Sequence, residues 1–420
     1  MTTSPPRPRS KGKPAARQIP PVTATDSSGP AAIVAVKRLF AAETGSYFLL
    51  LGTTVFLVVF GLIMVLSSSA VESFTASGSF FNGFVRQSLF AAIGVPLMLI
   101  AARLPAFFWK KWAGRLMVIA IGLQLLVFVP HIGVEVNGNR NWINIAGFTA
   151  QPSELVKVAL VLWLAKSLAD IQDRLGDWRA LAKLLIPAGI ATALDLLGGD
   201  VGTAIIFIAI VFAALFFAGV NLRLLALPLL ALALAGASLA LGSGSRASRI
   251  AATVSGCQTD TDHFGMCWQT VHGWWALASG GVFGVGLGNS KLKWSWLPEA
   301  ANDFIFAIIG EELGLIGAIL VLVLLLVLAT TFLRIIHARR QTDVFARVAV
   351  SAVLVWIIGQ AFVNIAVVLG LLPVLGVPLP LISSGGSALV TTLLGIGIVL
   401  SFARHARDVT SVPSTGGRQA

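Results

Sequence analysis

The sequence predicts an all-α polytopic membrane protein of about ten transmembrane helices with a large extracytoplasmic loop, on three observations. The 420 residues are 56% hydrophobic and 11% charged, with a mean hydropathy of +0.88, which is too apolar for a water-soluble globule. Apolar segments long enough to cross a bilayer recur along the chain with short polar breaks between them. The basic residues fall in those breaks rather than on one polar domain, so the formal charge of +12 marks topology and not nucleic-acid binding. A content of 25 Phe and 11 Trp against one Tyr suits lipid-facing and interfacial rings.

Residues 1–42 are rich in Pro, Ser, Thr and Lys/Arg without apolar periodicity and read as a disordered basic cytoplasmic tail. They hold no short apolar region followed by a small-residue cleavage site, so a cleaved signal peptide is not expected. The membrane domain is expected over 43–405. Its spans are predicted at 47–66, 84–102, 114–130, 153–169, 181–197, 201–218, 222–241, 303–333, 348–370 and 385–403, with 406–420 a short cytoplasmic tail. The fourth and fifth carry Glu154, Lys157 and Asp195 inside or near them. Tilt and helix packing accommodate the unequal lengths.

With the N-terminus in the cytoplasm, most of the 30 Lys and Arg residues fall on the cytoplasmic side. Only Arg86, Arg140, Lys157, Arg246, Arg249, Lys291 and Lys293 are left for the outer side or its margin. An even number of spans then returns both termini to the cytoplasm. The outer segments are 131–152, the large loop at about 242–302, and Leu371 to Gly386.

Cys257 and Cys267 are the only cysteines and share that large loop. An oxidising outer compartment would let them bridge, with roughly 2–3 kcal/mol of stabilisation from closing so short a loop. Two unpaired thiols are the alternative; a metal site is not expected, because the pair with nearby His263 lacks a full ligand set.

Asp303 stands where the large loop re-enters an apolar run. A charge at such a boundary is costly unless something uses or pairs it. Desolvation there raises proton affinity and nearby cations lower it, so the carboxylate could accept a proton from a substrate hydroxyl. The competing reading is a helix N-cap at Asn302 or Asp303. Glu311 and Glu312 follow on the same predicted helix, about 12 Å below Asp303 at 1.5 Å per residue, and read as buried structural carboxylates.

Asn137-Gly138 has the signature of a tight turn, followed by Arg140 and Trp142. In Gln151-Pro152-Ser153-Glu154, Ser153 is a candidate helix cap, and Lys157 stands three residues after Glu154, where the two can neutralise each other. A Lys or Arg open to the outside is also what a pyrophosphate selects, and Arg246 and Arg249 add two such cations. Asp200 lies in a Gly198-Gly199-Asp200 turn that needs those residues whatever the protein does. Gln360 and Asn364, four apart, share one helix face and either bond another helix or line a groove. The Pro- and Gly-rich stretch ending Pro380-Leu381-Ile382-Ser383-Ser384-Gly385-Gly386 reads as a broken or re-entrant segment flanking a cavity.

These motifs, with Asn289-Ser290-Lys291, Leu297-Pro298-Glu299-Ala300, Asn302-Asp303-Phe304-Ile305-Phe306-Ala307 and Glu311-Glu312-Leu313-Gly314, resemble the SEDS family of FtsW, RodA and SpoVE proteins over residues 47–405. The resemblance implies ten spans in the cytoplasmic membrane. It also implies polymerisation of lipid II into glycan strands on the outer face, beside a class B penicillin-binding protein and other division-machinery proteins. Asp303 matches the family's essential outer aspartate, Glu154 and Lys157 its charged pair, Lys291 its loop motif, and residues 380–387 its Pro/Ser/Gly signature. Two departures stand out: Gly198-Gly199 precedes Asp200 where the family has Gln or Glu and then Pro, and the segment with Cys257 and Cys267 is not general to the family. The Gly61–Ser67 stretch, Asn302 and the basic Pro-rich tail look more like actinobacterial division members than elongation members, which implies a place at the septum.

The implied reaction transfers a glycan from undecaprenyl pyrophosphate to the 4-hydroxyl of an acceptor lipid II, with inversion and with Asp303 as general base. Arg140, Lys157, Arg246, Arg249, Lys291 and Lys293 form the pool for pyrophosphate contacts. Glu154, Gln360, Asn364 and Ser384 complete the candidate substrate-binding set. No cofactor is certain; a divalent cation, Mg or Mn, could assist. The lipid tails of the substrate explain so hydrophobic an enzyme. A lipid flippase or transporter and a non-catalytic division scaffold are the competing readings. The first needs polar groups reachable from both faces, and the second predicts that Asp303 is dispensable.

Overall fold

The computed structural model describes residues 44–136, 138–145, 148–221, 223–224, 256–257, 267–339 and 343–404. The expected tails and the seventh predicted span, 222–241, lie outside the described residues except for isolated positions. Ten helices are described: α1 Gly45–Ser77, α2 Asn82–Arg103, α3 Ala106–Leu125, α4 Pro152–Asp170, α5 Trp178–Leu197, α6 Val201–Ala218, α7 Trp268–Gly280, α8 Ile305–Arg339, α9 Val344–Val368 and α10 Gly386–Ala403. Eight are long and apolar enough to cross a membrane. The exceptions are α7, too short at 13 residues, and α4, which carries Glu154, Lys157, Lys166 and Asp170.

The charged α4 survives because it is sheathed by protein. Its residues from Pro152 to Leu168 are nearly all buried, and α3, α6, α9 and α10 surround it. The other helices turn one face to this core and leave large apolar side chains such as Phe56, Val118, Leu197 and Leu326 exposed on the periphery, as lipid contact requires. Small residues allow the closest helix approaches: a Cβ at Gly397 of α10 would stand 2.5 Å from the Met98 carbonyl of α2.

Four features differ from the sequence expectation. Helix α1 continues past the predicted end at 66 to Ser77, because the polar Ser67–Ser73 stretch faces protein rather than lipid. Residues 131–152 hold a three-stranded antiparallel sheet, β1 Gly133–Val136, β2 Asn139–Ile145 and β3 Phe148–Ala150, whose strands are too short to stand out by periodicity. The tight turn joins β1 to β2, and Gly138 there takes φ +79, as a two-residue hairpin requires; Asn137 lies outside the described residues. Helix α7 forms within the predicted outer loop. Finally, α9 contains a π-helical turn at Val355–Gly359 just before Gln360.

Candidate active site

A cavity of about 500 Å3 lies between the ends of α1, α2, α6 and α10, the β-sheet and the segments leading into α8 and α10. Its wall includes Glu72, Arg86, Asn141, Gln151, Asp200, Glu299, Asp303, Gly376 and Ser384. Helix α8 begins at Ile305, and the first amide bonds of its entry close on the Phe304 carbonyl. Asp303 is therefore not its N-cap, a correction to the capping reading: the carboxylate bonds none of the entering amides and instead lies in the cavity wall. The turn is held by the amides of Asn302 and Phe304, which both donate to the Glu299 carbonyl, at 3.0 and 3.2 Å.

Asp303 is gripped through its backbone. Asn364 Nδ2 donates to the Asp303 carbonyl and to the Val377 carbonyl, both at 2.8 Å, while a Cβ at Gly376 would stand 3.8 Å from Asp303 Oδ2. Burial, with the negative charges of Glu299 and Asp200, pushes the Asp303 carboxyl up to about 7. Among the described residues nothing donates a hydrogen bond to this side chain, so the carboxylate faces the cavity free to take a proton.

The segment between α9 and α10 is extended, and protein groups satisfy its backbone. Gln360 Nε2 donates to the Pro378 carbonyl at 2.9 Å. Ser383 Oγ accepts from the Leu379 amide and donates to the Asn302 carbonyl, and Gln87 bonds both Ser383 O and the Gly385 amide. The Ser384 amide donates to the Ala301 carbonyl at 2.9 Å, so this segment is stitched to the turn that carries Asp303. Gln360 and Asn364 are buried and hold this backbone rather than lining the cavity.

Several other sequence candidates serve the scaffold. Lys157 Nζ lies 2.7 Å from Glu154 Oε1 and 3.1 Å from Gln360 Oε1, with both ionic side chains sealed from solvent. Lys293 is likewise buried and donates to Glu312 Oε1 at 3.0 Å, Ser67 Oγ at 3.2 Å and the Gly288 carbonyl at 2.6 Å. Glu312 also accepts from Ser67 of α1 at 2.6 Å, and Glu311 from Ser290 Oγ and the Lys291 amide. The structural reading of both glutamates thus holds, while Lys293 is removed from the pyrophosphate pool. Lys291 is exposed and stands outside the cavity wall. Arg140 does too; its amide donates to the Gly198 carbonyl at 2.8 Å. Arg246 and Arg249 lie outside the described residues.

Asp200 caps α6, accepting from the Thr203 amide at 2.9 Å, and is also bonded by Asn141 and Gln151 at 2.8 and 2.9 Å. The cation that sequence reasoning missed is Arg86, whose Nη2 donates to Thr149 Oγ1 at 2.6 Å on the cavity wall. Its only signal was to be one of the few basic residues left on the outer side. Among the described residues no group of three or more His, Cys, Asp or Glu side chains converges to hold a metal ion. Cys257 and Cys267 are bonded as expected, with Cα atoms 5.8 Å apart.

Comparison with known proteins agrees with this architecture. The FtsW, RodA and SpoVE family model, described as "Cell cycle protein", matches residues 48–408. The chain is 40% identical over 372 residues to a probable peptidoglycan glycosyltransferase FtsW of Mycobacterium tuberculosis, covering 88% of this chain and 70% of that one. It is 36% identical over 370 residues to the stage V sporulation protein E of Bacillus subtilis, covering 87% and 99%. Among solved structures, the Thermus thermophilus rod shape determining protein RodA aligns with a TM-score of 0.62 at 27% identity, over 87% of this chain and 98% of that one. A chain from a peptidoglycan synthase complex, described as coordinating polymerisation and crosslinking, aligns at 0.67 and 26%, over 84% and 96%. From the charged α4 sheathed by its neighbours to the aspartate at the mouth of α8, this multi-pass membrane protein belongs to the FtsW/RodA/SpoVE family, also called SEDS.

Proposed function

We propose that the protein is a peptidoglycan glycosyltransferase that polymerises lipid II, with inversion at the donor sugar and Asp303 as general base. The observation that carries this reading is the Asp303 carboxylate in the cavity wall, to which no described residue donates a hydrogen bond and whose proton affinity is raised to about 7. A base tuned near the working pH is half ready to take a proton and still reactive. As the acceptor 4-hydroxyl oxygen attacks the donor anomeric carbon, its proton passes to Asp303. The bond from that carbon to the pyrophosphate oxygen breaks, and the lipid pyrophosphate leaves.

Arg86 is the cation positioned for the pyrophosphate, since a guanidinium suits bidentate phosphate contact and its Thr149 bond fixes its direction. Ser384 and Asn141 offer further polar contacts on the same wall. The reading puts the cavity, the sheet and the disulfide outside the cytoplasmic membrane and both termini inside, as the charge distribution favours. It also gives the protein a division role, and a class B penicillin-binding protein as partner.

The flippase reading requires a polar path onward from the cavity. Beneath it, the Glu154, Lys157 and Gln360 side chains are buried and bonded to one another, which favours a closed scaffold. The test is polymerisation of purified lipid II by the protein with its penicillin-binding partner, native against Asp303→Asn. Glycan strands from the native protein alone are expected. Equal product from both overturns the assignment of Asp303. No product from either, with lipid II still crossing vesicle membranes, transfers the reading to the flippase.

A further inference from the structure

The short helix α7 grips the Asp303 turn from both sides. Trp268 Nε1 donates to the Trp296 carbonyl at 2.9 Å and Gln269 Nε2 to the Pro298 carbonyl at 3.1 Å, holding the chain just before Glu299. On the other side Gly273 lies flat on the Phe304 ring, close enough that a Cβ there would stand 2.8 Å from Phe304 Cε1. The Trp274 indole covers Gly370, at the start of the segment that later passes Asp303 at Gly376. Downstream of α7, the amides of Val285 and Gly286 donate to the Glu311 and Glu312 carbonyls at 2.9 and 3.0 Å.

Two things hold α7: Ala276 is buried in the main core with Leu277 packed against it, and the Cys257–Cys267 bond braces the first turn. Cys267 is the residue immediately before the helix, and its carbonyl accepts from the Val271 amide at 2.9 Å. Both cysteines and Val271 are buried together in a small apolar cluster against Trp274, separate from the main core. The braced turn carries Trp268 and Gln269, the two residues that hold the chain before Glu299, and a short helix frays first at such an end.

We propose that α7, braced at its first turn by the Cys257–Cys267 bond, is the splint that positions Asp303 for proton transfer, with Gly273 and Trp274 as positioning residues. The proposal rests on the reading of Asp303 as general base. Loosening the splint moves the carboxylate away from its place in the wall, and small displacements of a reacting group are costly in rate. The ionisable groups sharing the wall with Asp303 are Glu72, Arg86, Asp200 and Glu299, and His272 is the one on α7. Displacement away from the negative charges of Glu299 and Asp200 removes part of the cause of the raised affinity, so the acid limb of the rate profile moves below 7.

The experiment reduces the folded native protein, in complex with its partner, with a phosphine. The double variant Cys257→Ser/Cys267→Ser, treated alike, reports any effect of the reductant elsewhere. Hydrogen exchange over residues 296–307 is read together with polymerisation of lipid II across pH. Expected on reduction are faster exchange at the Asn302 and Phe304 amides, a fall of about tenfold in kcat with KM nearly unchanged, and an acid limb at lower pH. Gly273→Ala, which keeps the disulfide but pushes on Phe304, is expected to shift the acid limb the same way. Unchanged exchange and unchanged rate on reduction overturn the splint. If the oxidised native protein makes no glycan, the functional reading fails by itself, and the exchange arm still decides the splint.

Discussion

The Glu154–Lys157 pair and Asp303 are both charges set among apolar helices, and the protein treats them in opposite ways. Glu154 and Lys157 are sealed from solvent, 2.7 Å apart, and Lys157 has Gln360 as a second partner. Lys293 and Glu312 repeat the arrangement, with Ser67 and Gly288 completing the shell. Among the described residues Asp303 is held only through its backbone, by Asn364 and by the turn on Glu299, while its carboxylate faces a cavity beside two other negative charges. A buried charge that is paired organises the scaffold; one that is fixed in place but left unpaired is set up for chemistry.

That contrast is most sharply broken by substitution at Asp303. Asp303→Asn keeps the shape and removes the base, so polymerisation is expected to fall by about 100-fold or more, with the protein still folded and still bound to its partner. Lys157→Met should do the reverse. It strands Glu154 without its cation in a dry site, at a cost of about 3–5 kcal/mol, read as loss of folded protein in detergent melts. Adding Glu154→Gln to Lys157→Met is expected to recover much of that loss. If the single Lys157 variant were stable but inactive, the pair would belong to the chemistry instead.

Arg86→Lys tests the pyrophosphate contact at a smaller scale. The point charge remains but the guanidinium fork and its aim from Thr149 are lost, so kcat/KM is expected to drop about tenfold, roughly 1.4 kcal/mol of transition-state binding. Lys291→Ala, exposed and away from the cavity wall, is expected to leave the same quantity within about twofold. Equal effects at the two positions would mean that the cavity wall does not define the site.

How far the sequence disclosed this depended on whether a signal was local. Asp303 stood out because it interrupts the entry to an apolar run, and the start of α4 was legible to within a residue or two: Ser153, read as its candidate cap, lies inside the helix, which begins at Pro152 after Gln151. The eight spans followed from hydropathy. Arg86 was not legible as a site residue, since its role depends on Thr149, 63 positions away. Lys293 was misread for the same reason: Ser67, which it bonds, is 226 residues distant. Helix α7 and the small sheet were hidden by their length, because 13 residues and strands of three to seven give too few repeats for a period to emerge.

The last expected effect bears on stability, and its sign follows from proton affinity. The Asp303 carboxyl titrates at about 7 when folded and near 3.9 when unfolded. The folded protein therefore holds this proton more tightly, so the contribution of Asp303 is most favourable below about pH 4 and is lost as pH rises towards 7. Asp303→Asn carries no charge at any pH and escapes that loss. In detergent melts the variant should match the native protein near pH 4 and melt higher at pH 8, by up to about 4 kcal/mol, while polymerising at a small fraction of the native rate at either. A variant melting well below the native protein at pH 8, as Lys157→Met is expected to, would place Asp303 among the scaffold charges and remove the ground for calling it the base.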